Sequence, residues 1–284
     1  MKRKKLFSKS KVTPFLKWVG GKGRLLAQYE QYFPKKFNNY FEPFVGGGAI
    51  FFYLFNQGKI SKAFLNDSNE ELINCYKAIK DNVQELIEEL KSHRNEKQHY
   101  YAIRDLDRND NFHSFPDYKR AARTIYLNRT CFNGLYRVNS KGKFNVPQGR
   151  YNNPTICDEN NLLAVSNALK TVDFFVGDFE AAVADAKKGD FVYFDPPYIP
   201  LSKTSNFTSY TKDGFNFEDQ KRLAGVFRKL ARKGVSVMLS NSGADGIVKL
   251  YDGFTLYKIM ASRAINCKAE GRGKILEYLI IANC

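Results

Sequence analysis

A chain of 284 residues with 43% hydrophobic content is long enough for one large α/β domain with a smaller one inserted, and its longest apolar runs are strand length, so no membrane span is expected. Five scattered cysteines without a C-x-x-C pair, and three histidines at no metal spacing, suggest neither a disulfide framework nor a metal site and point to a reducing cytoplasm. The net charge of +16 is concentrated in residues 1–24 (nine Lys or Arg, no acid), 117–150 (eight against Asp117) and 261–274 (four against Glu270), a distribution that suits a polyanion such as nucleic acid.

Residues 1–12 read as a basic, flexible tail, with no apolar stretch behind the charges to make a secretory signal. "TPFLKWVGGKGRLLAQYEQYF" reads as a turn and then a helix from about Arg24. "YFEPFVGGGAIFFYLF" reads as strand, glycine turn and helix, and "KAFLND" as a short strand ending in an acid. In "NEELINCYKAIKDNVQELIEELK", Leu72, Ile73, Tyr76 and Ile79 share one helical face. Residues 117–128 are again helical, and "GLYRVNSKGKFNVP" alternates like a hairpin about the turn signal "NSKG". "VDFFVGDF" and "DFVYFDPPY" are strands with helical stretches between them. "EDQKRLAGVFRKLARKG" is a helix stopped by Gly234, and "VSVMLSNS" a buried strand. "FTLYKIM" and "ILEYLIIAN" close the chain as two strands joined by a basic loop.

Strands alternating with helices predict a mostly parallel sheet covered on both faces, an α/β fold. The basic helix and hairpin interrupt the alternation. Residues 95–151 are therefore expected to form an inserted module, with 13–94 and 152–284 as the main domain.

Three strand ends carry ligand-like residues. "FVGGGA" turns from strand to helix where, in a doubly wound fold, a nucleotide-like ligand meets the backbone, and its glycines permit close approach. An ordinary strand-to-helix turn has the same look. It is not a phosphate loop, because Gly23 rather than Ser or Thr follows the lysine of "GGKG", nor a good G-x-G-x-x-G. Asp67 ends the next strand about 20 residues after Gly46, the distance at which an acid binds ribose hydroxyls; capping the helix at "NEEL" is the alternative. Asp178 ends a third strand, placed to accept from an adenine amino group or to cap a helix.

"FVYFDPPYIP" (residues 191–200) ends a buried strand in an acid, two prolines and a tyrosine. An exocyclic amine on a base is a poor nucleophile, because its lone pair is delocalised into the ring. Two acceptors that bind its two N–H groups pull that lone pair out of the plane. Asp195 offers a carboxylate, and Pro196 a carbonyl held still by Pro196 and Pro197. Tyr198 adds a face on which a flipped-out base stacks. These four are the candidate catalytic residues for methylation of a planar amine. The polar segment 202–214 that follows is expected to be mobile and to close over the base.

"PFLKWVGGK", "FEPFVGGGA", "LND", "NRTCFNGLYRVNSKGKFNVPQGRY", "GDF" and "DPPY" occur in an order that resembles the α-class adenine-N6 DNA methyltransferases, specifically the DNA adenine methylase family, over nearly the whole chain after the tail. The resemblance implies a Rossmann-like, S-adenosylmethionine-dependent methyltransferase fold with an inserted helical and β-hairpin DNA-recognition domain. It implies methylation of adenine N6 in duplex DNA, within GATC, by base flipping, by a monomer without a metal. Trp18, Lys22, Phe44, Gly46, Asp67, Asp178, Phe179 and Asp195 would contact the methyl donor. Asp195, Pro196 and Tyr198 would hold the adenine. Lys17, Arg129, Phe132, Asn133, Leu135 and Arg137 would contact or wedge into the site, and Arg150 would meet a phosphate. Alternatives are an RNA or other-sequence DNA amino-methyltransferase, and a nucleic-acid-binding protein that keeps an inactive cofactor fold. Arg129 and Arg150 read equally as surface charges, and Phe132 and Leu135 as small-domain core. A companion restriction endonuclease would be a separate chain.

Overall fold

The computed structural model of the chain describes residues 11–198, 215–242, 245–262 and 274–284. Most of the expected basic tail, the 202–214 segment and the basic loop before "ILEYLIIAN" lie outside the described residues.

Among the described residues, seven strands form one sheet: β1 (Asn39–Glu42), β2 (Lys62–Asp67), β3 (Val172–Val176), β4 (Phe191–Phe194), β5 (Ser236–Ser242), β6 (Thr255–Ser262) and β7 (Lys274–Ala282). Their order is β3-β2-β1-β4-β5-β7-β6. The first five run parallel. β7 slots antiparallel between β5 and β6. The order reverses between β1 and β4, so the loops leaving these neighbours diverge and open a crevice at their carboxyl ends. The glycine turn after β1 and residues 195–198 after β4 are thereby brought to one place.

The strands lack a hydrophobic-polar alternation because both faces are covered. All four residues of β4 are buried. Successive side chains still alternate between two apolar layers. Tyr40, Phe191, Tyr193, Met238 and Leu279 enter one core; Phe41, Val192, Phe194, Val237, Leu239 and Ile280 enter the other. The first core is covered by α1 (Leu26–Tyr29), α2 (Ala49–Asn56), α3 (Glu70–Asp81), α4 (Val83–Ser92), α5 (Lys97–Asp105), α6 (Asp117–Thr130) and α7 (Glu159–Ala168). The second is covered by α8 (Phe179–Ala182), α9 (Phe217–Arg232) and α10 (Asp245–Val248).

Two local expectations are revised. The helical run after Asn69 is two helices, because Asn82 adopts φ −134°, ψ 39° between α3 and α4. The expected hairpin is a loop closed by isolated bridges, Val138 to Phe144 and Cys131 to Gln148. There the Asn139 side chain accepts the Lys141 and Lys143 amides at 3.0 Å and competes for ladder donors.

Residues 95–151 pack on α3 and α4 through α6, and Ala121, Ile125, Tyr126, Phe144 and Val146 belong to the same buried cluster as Tyr40 and Tyr193. Two of the basic residues counted above are internal. Arg120 pairs with Glu71 of α3. Arg123 lies 2.8 Å from Asp107 and donates to the Ile103 carbonyl at 2.9 Å.

The chain ahead of α1 is stitched down by asparagines. Val12 exchanges two hydrogen bonds with Asn56 at the end of α2, at 3.0 and 2.8 Å. Thr13 exchanges backbone bonds with Asn161 of α7, both at 3.0 Å. Lys17 exchanges a pair with Asn128 of α6, both at 2.8 Å.

Candidate active site and nucleic-acid interface

The glycine turn after β1 is clamped on both sides. Gly46 and Gly48 have φ of 47° and 68°, left-handed values that favour glycine. A Cβ on Gly46 would lie 2.7 Å from Trp18 Cδ1, and one on Gly48 2.7 Å from the Tyr76 hydroxyl. That hydroxyl donates to the Gly46 carbonyl at 2.9 Å. The Gly46 amide donates to Asp67 Oδ2 at 3.1 Å. Asp67 Oδ1 accepts from the Asn69 amide at 3.0 Å. The cap of α3 is Asn69, which accepts from the Leu72 amide at 3.0 Å, so Asp67 is released from the capping alternative. Burial pushes the Asp67 carboxyl up to about 6, against the hydrogen bonds from Asn69, Gly46 and Ser68.

Beside this turn, Phe44 and Phe179 stack with centroids 5.4 Å apart, and Phe215 meets Phe44 edge-on at 5.6 Å. Asp178 does cap α8, accepting from the Glu180 amide at 2.9 Å, and it also pairs with Arg222 at 2.7 Å. Burial would raise its carboxyl, but Arg222 and the Glu180 amide hold it below the ordinary value. The Arg222 guanidinium lies 4.3 Å from the Phe179 ring centre.

The turn at residues 195–198 is held from several strands. Asp195 Oδ1 accepts from the Ser240 hydroxyl at 2.9 Å, and Ser240 Oγ accepts from the Tyr193 hydroxyl at 3.0 Å. Lys22 Nζ reaches the same Asp195 oxygen at 2.8 Å and donates to the Gly20 carbonyl at 3.1 Å. It lies 4.6 Å from the Tyr198 ring centre and 3.8 Å from Glu277 Oε2. The Tyr198 hydroxyl donates to Glu277 Oε2 at 2.9 Å. Gln220 Nε2 donates to the Pro197 carbonyl at 3.3 Å, while Gln220 Oε1 accepts from Asn241 Nδ2 at 2.9 Å. Burial would depress the Lys22 ammonium, but Asp195 and Glu277 outweigh it and raise it above the ordinary lysine value. Burial raises the Glu277 carboxyl despite Lys22 and the Tyr198 hydroxyl.

Sequence reasoning named Lys22, Asp195 and Tyr198 as candidates but not Ser240, Asn241, Gln220 or Glu277, which the structure gathers around them. Two signals were present. "SNS" ends an otherwise apolar strand, and Glu277 is the lone acid of "ILEYLIIAN".

The expected DNA-contacting residues gather around the start of the chain and the end of α6. Lys17 lies 4.6 Å from the Tyr151 ring centre, and a Cβ on Gly134 would fall 2.5 Å from Lys17 Cδ. Arg129 is half-buried and donates to the Phe15 carbonyl at 2.8 Å. Burial lowers its pKa, against Asp158. Phe132 opens a 3-10 turn (Phe132–Gly134) and is 49% exposed, with Asn133 left-handed at φ 56°. Leu135 is partly buried against the first core. Arg137 and Arg150 are exposed; Arg137 Nε donates to Asn145 Oδ1 at 2.7 Å. Trp18 links the two regions: it meets Tyr136 with centroids 5.5 Å apart.

Among the described residues no group of three His, Cys, Asp or Glu could hold a metal ion, and no helix is long and apolar enough to cross a membrane.

Residues 18–265 match the D12 class N6 adenine-specific DNA methyltransferases. The chain is 50% identical over 281 residues to the type II methyltransferase M1.LlaDCHI of Lactococcus lactis subsp. cremoris, covering 97% of this chain and 98% of that one. It is 50% identical over 287 residues to the type II methyltransferase M.MjaIII of Methanocaldococcus jannaschii, covering 96% and 99%. It is 35% identical over 286 residues to the DNA adenine methylase of Haemophilus influenzae, covering 99% and 97%.

Proposed function

The chain belongs to the D12 class N6 adenine-specific DNA methyltransferase family, and from that premise we propose that it methylates adenine within GATC in duplex DNA, with S-adenosylmethionine as donor and the target base flipped from the stack. The observation that carries this reading is the meeting, where the strand order reverses, of the Gly46 turn with the acid, prolines and tyrosine of residues 195–198.

The residues fit the donor. Asp67 is a hydrogen-bond acceptor for ribose hydroxyls, fixed against the Gly46 amide at 3.1 Å. Phe44 and Phe179 offer apolar rings for a purine, with Asp178 beside them for its amino group. Trp18 and Lys22 complete the set. When bound, the donor supplies a methyl group made electrophilic by a sulfonium.

Asp195 and the Pro196 carbonyl accept the two N–H groups of adenine N6 and free its lone pair, while Pro197 fixes the backbone and Tyr198 stacks on the base. The Asp195 carboxylate faces the positive charge that develops on N6, and the proton leaves afterwards to solvent. Positioning and fixed charge provide most of the rate.

Residues 95–151 act as the recognition module. The exposed Phe132 ring, carried on a turn beside left-handed Asn133, is the wedge. Lys17, Arg129, Asn133 and Leu135 set its position, Arg137 reads a guanine edge, and Arg150 contacts phosphate. The enzyme works as a monomer in a reducing cytoplasm. Two relatives carry the type II methyltransferase designation, which supports a companion endonuclease on a separate chain.

Methyl transfer from labelled donor to duplexes with and without GATC, and to RNA, tests the reading. Label confined to adenine N6 of GATC is the expected result. Equal labelling of GATC-lacking duplexes would overturn the sequence assignment, and labelling of RNA alone would overturn the substrate.

A further inference from the structure

The Lys22 ammonium touches both groups assigned to the target base. Its Nζ is 2.8 Å from Asp195 Oδ1, with the side chain only 4% exposed. The same atom lies 4.6 Å from the Tyr198 ring centre. A base that stacks on Tyr198 and gives its amine to Asp195 takes that space, so the ammonium has to move. Its travel is short, because Lys22 starts a 3-10 turn (Lys22–Arg24). Among the described residues the next carboxylate is Glu277 on β7, whose Oε2 is 3.8 Å from Nζ. That oxygen already accepts the Tyr198 hydroxyl at 2.9 Å.

We propose that Glu277 is a positioning residue for methyl transfer: it takes over the Lys22 ammonium when the target amine takes Asp195, and it holds the Tyr198 ring for the incoming base. The proposal rests on the assignment of Asp195 and Tyr198 to that base.

The charges require such a partner. The cluster holds one ammonium and two carboxylates. Adenine brings a neutral amine, so its arrival on Asp195 alone would leave a buried ammonium without a counter-ion, an arrangement that proteins avoid. During transfer the nitrogen–methyl bond forms as the sulfur–methyl bond breaks. Positive charge passes to N6, and an N6 proton then leaves to water. An ammonium still on Asp195 would oppose that charge from the same carboxylate. With Lys22 on Glu277, Asp195 faces the amine with its whole charge. Burial already raises the Glu277 carboxyl, and Lys22 is the largest influence that lowers it, as expected of a partner for this ammonium.

Glu277→Gln keeps the shape and an acceptor for the Tyr198 hydroxyl but removes the charge. On a GATC duplex, kcat is expected to fall on the order of ten-fold with KM for DNA changed by no more than about two-fold. Glu277→Asp is expected to recover most of the loss. In a Lys22→Met background the same Glu277→Gln change is expected to cost nothing further, since no ammonium needs a place. Near-normal kcat in Glu277→Gln, or an equal cost in both backgrounds, overturns the proposal. The wild-type protein gives a reading that no folding defect can blur. In a crystal with cognate duplex and a non-reactive donor analogue, Nζ is expected within hydrogen-bond distance of Glu277 and away from Asp195. Nζ still on Asp195 beside a flipped adenine overturns it. Unchanged methylation by Asp195→Asn would strike the base-holding assignment itself, and this proposal with it.

Discussion

Asp67 Oδ2 accepts the Gly46 amide at 3.1 Å and so ties the end of β2 to the glycine turn after β1. The carboxyl, raised by burial to about 6, is ionised above that pH and protonated below it. Ribose hydroxyls need the ionised form as acceptor. Donor affinity is therefore expected to be full at about pH 8 and to decline as pH falls through about 6. Asp67→Asn is expected to flatten this dependence and to weaken binding at neutral pH by roughly 1.5–3 kcal/mol. Calorimetric titration across the range checks both; a wild-type affinity that is flat with pH contradicts the ribose role. The raised value also means that the folded protein holds this proton more tightly than the unfolded chain. This group's contribution to stability therefore falls as pH rises from the ordinary aspartate value of 3.8 to about 6.

In the proposed mechanism, Asp195→Ala removes the carboxylate that faces the developing charge. Turnover is expected to drop on the order of 10²–10³-fold, the scale for removing one fixed transition-state partner. Donor affinity is expected to stay mostly intact, because Asp67, Phe44 and Phe179 remain. Single-turnover transfer together with donor titration separates the two, and near-normal turnover would sink the mechanism.

Gly46→Ala and Gly58→Ala make a matched pair. Both glycines have positive φ, 47° and 68°. A Cβ on Gly58 meets nothing within 4 Å, whereas one on Gly46 meets Trp18 Cδ1 at 2.7 Å. Both substitutions carry a left-handed backbone cost of about 1–2 kcal/mol. Only Gly46→Ala is expected to add displacement of Trp18 and a loss of donor affinity. Equal melting temperatures and equal donor affinity for the two variants would refute the clamp.

Arg137 and Arg150 are expected to fail differently. The Arg137 fork is aimed by Asn145, through Oδ1 at 2.7 Å and the carbonyl at 3.3 Å. A fork of this kind fits the O6 and N7 acceptors of guanine, and one such pair discriminates by about 1–3 kcal/mol. Arg137→Ala is expected to raise methylation of a near-cognate site relative to GATC. Arg150→Ala is expected to weaken all sites alike, as loss of a phosphate contact does. Methylation of GATC and each single-base variant is the measurement; site ratios left unchanged by Arg137→Ala would exclude direct readout.

Arg123→Ala breaks a buried pair. Its guanidinium lies 2.8 Å from Asp107 and also bonds the carbonyls of Ile103 and Arg104, at 2.9 and 2.6 Å. Asp107 keeps Arg108 at 2.7 Å and the Phe144 amide at 2.7 Å, so losing its buried partner is expected to cost no more than the low end of the about 3–5 kcal/mol for a broken buried pair. Lys221→Ala, which breaks an exposed pair with Glu218, is expected to cost about 0–1 kcal/mol. Chemical denaturation compares them, and similar midpoints would count against a structural role for Arg123.

What could be read from the sequence was what lies close along the chain. The turn at residues 195–198 and the Gly46 turn carry their chemistry in consecutive residues, so their meaning survives without a fold. Asp67 and Asp178 were named because they fall at or just past strand ends, although the division of labour between Asp67 and Asn69 required the hydrogen bonds. Ser240 and Glu277 were not found. They reach Asp195 and Tyr198 only because β5 lies beside β4 and β7 inserts beside β5, an arrangement that strand order decides and local pattern does not. Arg120 and Arg123 were counted as part of a basic surface, since composition cannot tell a solvated guanidinium from one that bridges two helices.

The stitched segment ahead of α1 determines where this enzyme can be cut or fused. A partner protein joined ahead of Lys11 spares the bonds from Val12 to Asn56, from Thr13 to Asn161 and from Lys17 to Asn128. A break introduced just after Arg24 would detach, in one short peptide, the anchor of α6, the indole against Gly46 and the ammonium on Asp195.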